Sequence, residues 1–134
     1  MESLFELKNP IAVDLSVFEQ MKQKALELLS KAKCEQYTQA IVLYSTKNNE
    51  YGAVINNALD KERVDENLLL KKLKDVNDTQ IAYLLCLWQD KNVDICSYAF
   101  RKDLLLLNEK NSDTLIFVTT QDGISAIKLS VTVK

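Results

Sequence analysis

The stretch Ile81–Trp88 (IAYLLCLW) is an unbroken apolar run with β-branched and aromatic members. The run is too short for a typical helix, and it shows no alternation with polar residues. That pattern indicates a strand covered on both faces. Such a strand lies in the interior of a sheet that has helices on either side. We therefore expect Ile81–Trp88 to be the central strand of an α/β domain.

A first helix is predicted before this strand, because apolar residues recur at three- and four-residue steps. They are Phe18, Met21, Ala25, Leu28, Leu29 and Ala32. Ser16 and Glu19 form a capping-box pattern, which places the start of the helix at Ser16. Residues 1–13 include the only proline, Pro10, and are expected to form an irregular N-terminal arm. Residues 14–134 are then expected to form a single domain.

A hairpin and a second helix are predicted between the first helix and the central strand. Two β-rich runs, Ala40–Tyr44 and Tyr51–Ile55, flank the asparagine-containing turn Lys47–Glu50. Helical spacing then runs from Lys61 to Lys74. The buried side of this helix is predicted to carry Val64, Leu68, Leu69 and Leu73.

The C-terminal third predicts one more helix and two strands. Asp94 or Ser97 can cap the helix, which is expected to end near Asn108. Its inward residues are predicted to be Cys96, Ala99, Phe100, Leu104 and Leu107. Strands are predicted at Thr114–Thr119 and at the alternating Ile127–Val133, with a turn at Asp122-Gly123 between them. The element order is therefore αββαβαββ.

This order, together with three short segments, resembles the cytidine deaminase family. Gly52–Ala58 (GAVINNA) is similar to the segment that contacts the nucleoside sugar in that family. Val64–Glu66 (VDE) falls at the place of its Cys-Ala-Glu motif, and Ile95–Lys102 (ICSYAFRK) at the place of its Pro-Cys-x-x-Cys-Arg-Gln motif. The resemblance covers positions 16–134 and implies a three-layer α-β-α sandwich with a five-stranded mixed sheet.

The resemblance also implies where a site would lie. The matching positions for ligand binding are Asn56, Asn57, Asp65, Glu66 and Cys96, and Glu66 is the catalytic candidate. Each of these residues also has an ordinary structural interpretation. We expect Glu66 to be a solvated surface charge, or to pair with a cation such as Arg101. Asn56 and Asn57 more often make turn hydrogen bonds than bind ribose.

The residues at the motif positions argue against a zinc-dependent reaction. Zinc deaminases hold the metal with three His or Cys ligands, and a separate Glu moves the proton. The chain has no His, and Val64 and Ala99 stand where two of the ligands would be. Cys86 and Cys34 are expected to lie elsewhere in the fold, so Cys96 supplies one sulfur, and one thiolate does not hold catalytic zinc. We therefore expect no metal and no cofactor.

The leading functional prediction is a non-catalytic cytidine deaminase-like domain that acts through ligand binding or subunit assembly, as a homo-oligomer. One alternative is a divergent enzyme or a nucleotide-binding protein, which would hold a small-molecule or nucleotide-like ligand in the cleft of the fold. Another alternative keeps the α/β sandwich and makes the chain a small interaction module of profilin-like or roadblock-like type.

The composition restricts the classes of partner and the cellular compartment that we expect. The net charge of −2 lacks the basic excess that nucleic-acid binding requires, so no nucleic-acid partner is expected. No run is long and apolar enough to span a membrane. The three cysteines lack metal-binding or disulfide-framework spacing, which favours a reducing, cytoplasmic location.

Overall fold

The computed structural model describes residues 13–33, 37–58, 61–121 and 123–133. The helices in these ranges are α1 (Leu15–Lys31), α2 (Val64–Asp75), α3 (Tyr98–Leu107) and α4 (Leu129–Thr132). The strands are β1 (Gln39–Ser45), β2 (Glu50–Ile55), β3 (Ile81–Trp88), β4 (Val93–Asp94), β5 (Leu115–Thr120) and β6 (Gly123–Lys128). A 3-10 helix spans Glu109–Asp113. None of the helices within these ranges is long and apolar enough to cross a membrane.

The predicted order αββαβαββ is confirmed, with β4, the 3-10 helix and α4 added to it. The five main strands lie in the order β2-β1-β3-β5-β6, and the short β4 pairs with β3. β3 is antiparallel to β1 and parallel to β5, so the sheet is mixed and β3 is central, as predicted. Residues 1–12 of the predicted arm, Cys34 and Asp122 lie outside the described residues.

Helices cover both faces of the sheet, which gives the predicted three-layer α-β-α sandwich. On one face, the apolar side of α1 packs against alternate residues of β1 and β3, including Val42 and Leu85. On the other face, α2 and α3 pack against the intervening residues, such as Ile41 and Leu84. Because successive side chains of a strand point to opposite faces, an unbroken apolar strand is the pattern that two helical layers require.

The caps of α1 and α3 were both predicted, and the prediction for α1 is corrected. Asp14, rather than Ser16, caps α1, since its side chain accepts a hydrogen bond from the backbone N–H of Ser16 at 2.9 Å. The capping-box prediction at Ser16 is therefore wrong by two positions. Ser97 caps α3 by accepting from the N–H of Phe100 at 3.1 Å, which decides between the two predicted caps.

The end of the chain differs from the prediction of a strand that continues to Val133. β6 stops at Lys128, which is opposite Leu115, the first residue of β5. Residues beyond Lys128 therefore have no ladder partner on β5, and Leu129–Thr132 turn into the short helix α4. Arg101 Nη1 donates to the Thr132 carbonyl at 2.9 Å, which holds α4 against α3.

A buried carboxylate fastens the end of the sheet opposite the α2 and α3 N-termini. Asp78 is 3% exposed, and its Oδ2 accepts hydrogen bonds from Ser45 Oγ, Asn49 Nδ2 and Tyr51 Oη at 2.7–3.0 Å. Burial alone would raise the pKa of Asp78, but hydrogen bonds from Asn49, Tyr51 and Ser45 outweigh it and leave the pKa below its usual value. The hairpin is thereby tied to the turn that leads into β3.

Candidate functional site

The N-termini of α2 and α3 meet on one face of the sheet, near the ends of β2 and β3. The meeting is direct, because Glu66 in the first turn of α2 contacts Ser97, the cap of α3. The family resemblance predicted that the positions around 64–66 and 96–99 would come together, and the structure places them in contact. This junction is the candidate site.

Glu66 faces inward, because the buried side of α2 is rotated from the predicted one. Val64 and Leu68, which were predicted to be buried, are 53% and 59% exposed. The buried residues of α2 are Glu66, Leu69, Leu70 and Leu73. Glu66 itself is only 2% exposed, so the prediction of a solvated surface charge is wrong. The spacing from Glu66 to Leu69, Leu70 and Leu73 is itself helical, and this spacing is the signal that could have placed Glu66 inside.

The buried carboxylate of Glu66 is neutralised by Arg63. Arg63 Nε donates to Oε1 of Glu66 at 2.6 Å, and Arg63 Nη2 donates to Oδ2 of Asp103 on α3 at 2.8 Å. The Ser97 hydroxyl lies 3.0 and 3.2 Å from the two oxygens of Glu66. One guanidinium thus bridges α2 and α3, and both oxygens of Glu66 have partners inside the protein.

The expected cation, Arg101, is not the partner of Glu66. Arg101 Nε donates to the Cys96 carbonyl at 3.0 Å, in addition to its bond to the Thr132 carbonyl. The partner of Glu66 is instead Arg63, the residue just before α2. Its backbone is left-handed, with φ of 52°. Partial burial alone would lower the pKa of Arg63, but hydrogen bonds to Asp103 and Glu66 raise it above its usual value. The Arg63 guanidinium therefore stays charged.

The other predicted ligand-binding residues gather around a small cavity. Asn56, Asn57, Asp65 and Glu66 line it together with Arg63, and its volume is about 30 Å³. Asp65 Oδ2 accepts from the backbone N–H of Asn56 at 3.0 Å, which joins the end of β2 to the first turn of α2. Asn57 adopts a left-handed backbone with φ of 52°. A positive φ at an asparagine is typical of a turn. A cavity of this size has room for water rather than for a nucleoside.

Cys86 lies beside Cys96, contrary to the expectation that it would be remote from the site. The Cys96 side chain and the charge of Glu66 both act on the Cys86 thiol. Both cysteines are buried, at 0% and 2% exposure. Burial, followed by the neighbouring Cys96 side chain, raises the pKa of the Cys86 thiol well above its usual value, so Cys86 stays protonated. The reason for the wrong expectation is register: Cys86 pairs with Asp94, two residues before Cys96.

The predicted site residues are therefore brought to one junction, but sequence reasoning missed three of its members. Arg63 gave no motif signal, since it is one of several charged residues at the start of α2. Asp103 was not singled out, and Cys86 was assigned to the core alone. Their roles depend on how α2, α3 and β4 pack around the end of β3, which periodicity does not encode.

Solved cytidine deaminases have this fold. The enzyme from Mycobacterium tuberculosis superposes with a TM-score of 0.64 at 13% identity, covering 89% of this chain and 93% of its own. For the enzyme from Mycobacterium leprae the TM-score is 0.60 at 10% identity, with 81% and 92% covered. For the enzyme from Burkholderia pseudomallei it is 0.62 at 9% identity, with 85% and 94% covered. No protein-family model and no curated sequence matches the chain. The fold is therefore cytidine deaminase-like, as predicted.

The residues at this junction do not fit the zinc ion that deaminase chemistry uses. Val64 has no donor atom and points largely to solvent, and Ala99 has no donor atom either. Within the described parts of the chain, no group of three or more His, Cys, Asp or Glu side chains is placed to hold a metal. We derive no catalytic step through zinc.

Proposed function

We propose that this protein is a non-catalytic cytidine deaminase-like domain that acts through assembly with a second copy of itself. The observation that carries the proposal is the ion pair between Arg63 and Glu66 at 2.6 Å. A general acid or base has to reach the proton that it transfers. Here Arg63 and Ser97 occupy the oxygens of Glu66.

The size of the cavity supports the same conclusion. Pockets that hold drug-sized ligands have volumes of about 300–1,000 Å³. The cavity beside Asn56, Asn57 and Glu66 has about 30 Å³. A nucleoside would enter only if the end of β2 and the start of α2 separated, which would break the bond between Asn56 and Asp65. This cost disfavours nucleotide binding as the function of the junction.

An exposed apolar surface on α2 and α3 supports assembly. Its members are Val64, Leu68, Tyr98 and Leu106, with exposures of 47–75%. Beside it, a groove of about 430 Å³ runs between the two helices and is lined by Leu70, Leu106, Lys71 and Lys74. An apolar surface next to a polar rim is typical of a protein–protein contact. We name this surface the α2–α3 face.

The charge pattern of α2 favours a second copy as the occupant. Asp65 lies in the first turn of α2, and Lys72 and Lys74 lie in the last turn. Two copies related by a two-fold axis perpendicular to α2 would place their α2 helices antiparallel, so that Asp65 of each copy faces Lys72 of the other. The same arrangement brings the two Leu68 side chains toward each other's apolar surface. The α2–α3 face is thus self-complementary in charge.

The test is the mass of the purified protein by light scattering at micromolar concentration. We expect a dimer or a larger closed assembly. Leu68→Glu should shift the mass to one chain, while Leu15→Glu on α1 is the matched control, since the two leucines are 59% and 58% exposed. Circular dichroism and melting curves check that both variants fold. A wild-type mass of one chain, or dissociation by the control alone, would contradict the proposal.

The state of the cysteines supports a cytoplasmic location. Cys86 and Cys96 are free thiols in the structure, and paired disulfides are typical of secreted proteins. We therefore keep the cytoplasm as the proposed location.

A further inference from the structure

We propose that the groove between α2 and α3 is a binding site for a small amphipathic monocarboxylate, a molecule with one carboxylate group and an apolar chain. The groove extends toward the C-terminal ends of the two helices, whereas Glu66 and Ser97 lie at their N-terminal ends. This site is therefore separate from the junction. It also goes beyond assembly with a second copy, and its test keeps the two apart.

The groove has the size of a small-molecule site. Its volume is about 430 Å³, which falls within the range of about 300–1,000 Å³ that is usual for ligand pockets. The cavity beside Glu66, by contrast, has about 30 Å³. The lining side chains that bear on binding are Leu70, Lys71 and Lys74 from α2, and Asp103, Leu106 and Leu107 from α3. The groove thus has room for a molecule much larger than water.

The three leucines give the groove an apolar wall on each helix. Leu70 is buried on α2, and Leu107 of α3 is half-buried against the core. Leu106 lines the groove with 75% of its surface exposed. An apolar chain that lies between these side chains would remove the exposed surface of Leu106 from water, which favours binding.

The charged side chains of the groove leave one cation without a partner. Asp103 is the acidic residue of the lining, and its Oδ2 accepts from Arg63 Nη2 at 2.8 Å. Lys71 pairs with Asp75, one turn further along α2. Among the described residues, the ammonium group of Lys74 has neither an ion pair nor a hydrogen bond. The groove therefore carries an uncompensated positive charge, which favours an anionic ligand.

The position of this charge on α2 selects the class of ligand. Leu70 and Lys74 are four residues apart, so they are neighbours on one side of the helix and place the ammonium next to the apolar wall. A ligand with an apolar chain and an anionic head would contact both. A phosphate is matched less well, because the free N–H groups that favour a dianion lie at the other end of α2. A single carboxylate is therefore the head group that the groove fits.

The test measures the binding of octanoate to the full chain by calorimetry and by amide NMR. We expect saturable binding, with shifts confined to the parts of α2 and α3 that line the groove. Octanol and octylammonium carry the same chain without the negative charge, so both should bind more weakly than octanoate. The absence of saturable binding, equally tight binding of octylammonium, or shifts spread over the whole chain would overturn the proposal.

Lys74→Glu should weaken the binding of octanoate by about fivefold or more, because it replaces an attraction with a repulsion. Lys102→Glu is the matched control, since Lys102 is an exposed lysine of α3 outside the lining and the change of net charge is the same. Lys74→Gln removes the charge without adding another, so it should give a smaller loss of affinity and serves if Lys74→Glu does not fold. Equal effects of the changes at Lys74 and Lys102 would overturn the proposal.

A comparison with Leu68→Glu separates this proposal from the proposed assembly. Leu68 does not line the groove, whereas Leu106 belongs to both the groove and the α2–α3 face. We expect octanoate to bind at least as tightly to Leu68→Glu as to the wild type, because a second copy on the α2–α3 face competes for Leu106. A wild-type mass of one chain would contradict the assembly and leave the octanoate result unaffected. Loss of octanoate binding in a folded Leu68→Glu would show that the site needs assembled copies, and would overturn the proposal.

Discussion

Arg63 Nε lies 2.6 Å from Oε1 of Glu66, and the same guanidinium reaches Asp103 of α3 at 2.8 Å. Glu66 occupies the place that the resemblance assigned to a catalytic carboxylate, and its partner is a fixed cation of the protein. A buried carboxylate costs several kcal/mol unless its charge is compensated. The arginine supplies that compensation, which supports our proposal that the junction of α2 and α3 is a structural joint.

Arg63→Gln should destabilise the protein strongly, because it leaves the carboxylate of Glu66 buried without a cation. Breaking a buried ion pair from one side costs about 3 kcal/mol or more. Lys31→Gln is the matched control, since its pair with Glu27 is exposed on α1 and should be worth less than about 1 kcal/mol. Urea melts of both variants measure the free energy of unfolding. Equal losses of free energy of unfolding in the two variants would show that the pair of Arg63 and Glu66 contributes no more than an exposed pair.

Glu66→Gln should partly rescue Arg63→Gln, because it removes the unpaired charge while keeping an oxygen near Ser97. The free energies of the wild type, the two single variants and the double variant form a cycle. We expect a coupling of about 0.5–3 kcal/mol, which is the range for residues in direct contact within one network. Additive losses would mean that the two side chains act independently of each other in the folded protein.

Asp78→Asn should make the free energy of unfolding less sensitive to a fall in pH. The pKa of Asp78 is lower in the folded protein than its usual value, so its contribution is complete above the unfolded pKa of about 4. That contribution is lost as the pH falls through the lower, folded pKa. The free energy of unfolding, measured by urea melts from neutral pH to the acid limit of folding, should therefore decrease less steeply in Asp78→Asn than in wild type.

The matched control for Asp78 is Asp75→Asn, whose carboxylate lies on the exposed end of α2 and pairs with Lys71. Its acid dependence should stay close to that of the wild type, because exposed pairs are worth little. Asp78→Asn should also cost about 1–3 kcal/mol at neutral pH, since Ser45, Asn49 and Tyr51 all donate to Asp78. An unchanged acid profile in Asp78→Asn would exclude Asp78 as the group responsible.

The layers of the fold could be predicted because burial leaves a regular pattern in the sequence. The run Ile81–Trp88 reports a strand with two covered faces, and the periodicity of Phe18, Met21 and Ala25 reports the helix over one face. The end of β6 could not be predicted in this way. An alternating pattern continues to Val133, but the partner strand begins at Leu115, so the ladder ends at Lys128.

The site was predictable in position but not in chemistry. The resemblance placed Glu66 and Cys96 at one junction, and the structure brings both to it. Whether a carboxylate is solvated, catalytic or paired depends on its neighbours in space. Here the deciding neighbour is Arg63, whose left-handed backbone turns it back over the first turn of α2. A positive φ at an arginine has no clear sequence signal, since such conformations are usual for glycine and asparagine.

The central claim, that the junction is held by an arginine and performs no zinc-dependent deamination, is tested most directly on one purified sample. Its zinc content is measured by elemental analysis, and ammonia release is measured during incubation with cytidine and added zinc. We expect zinc far below one ion per chain and no ammonia above that of a sample without protein. One tightly held zinc per chain, together with ammonia release that Glu66→Gln abolishes, would contradict the account.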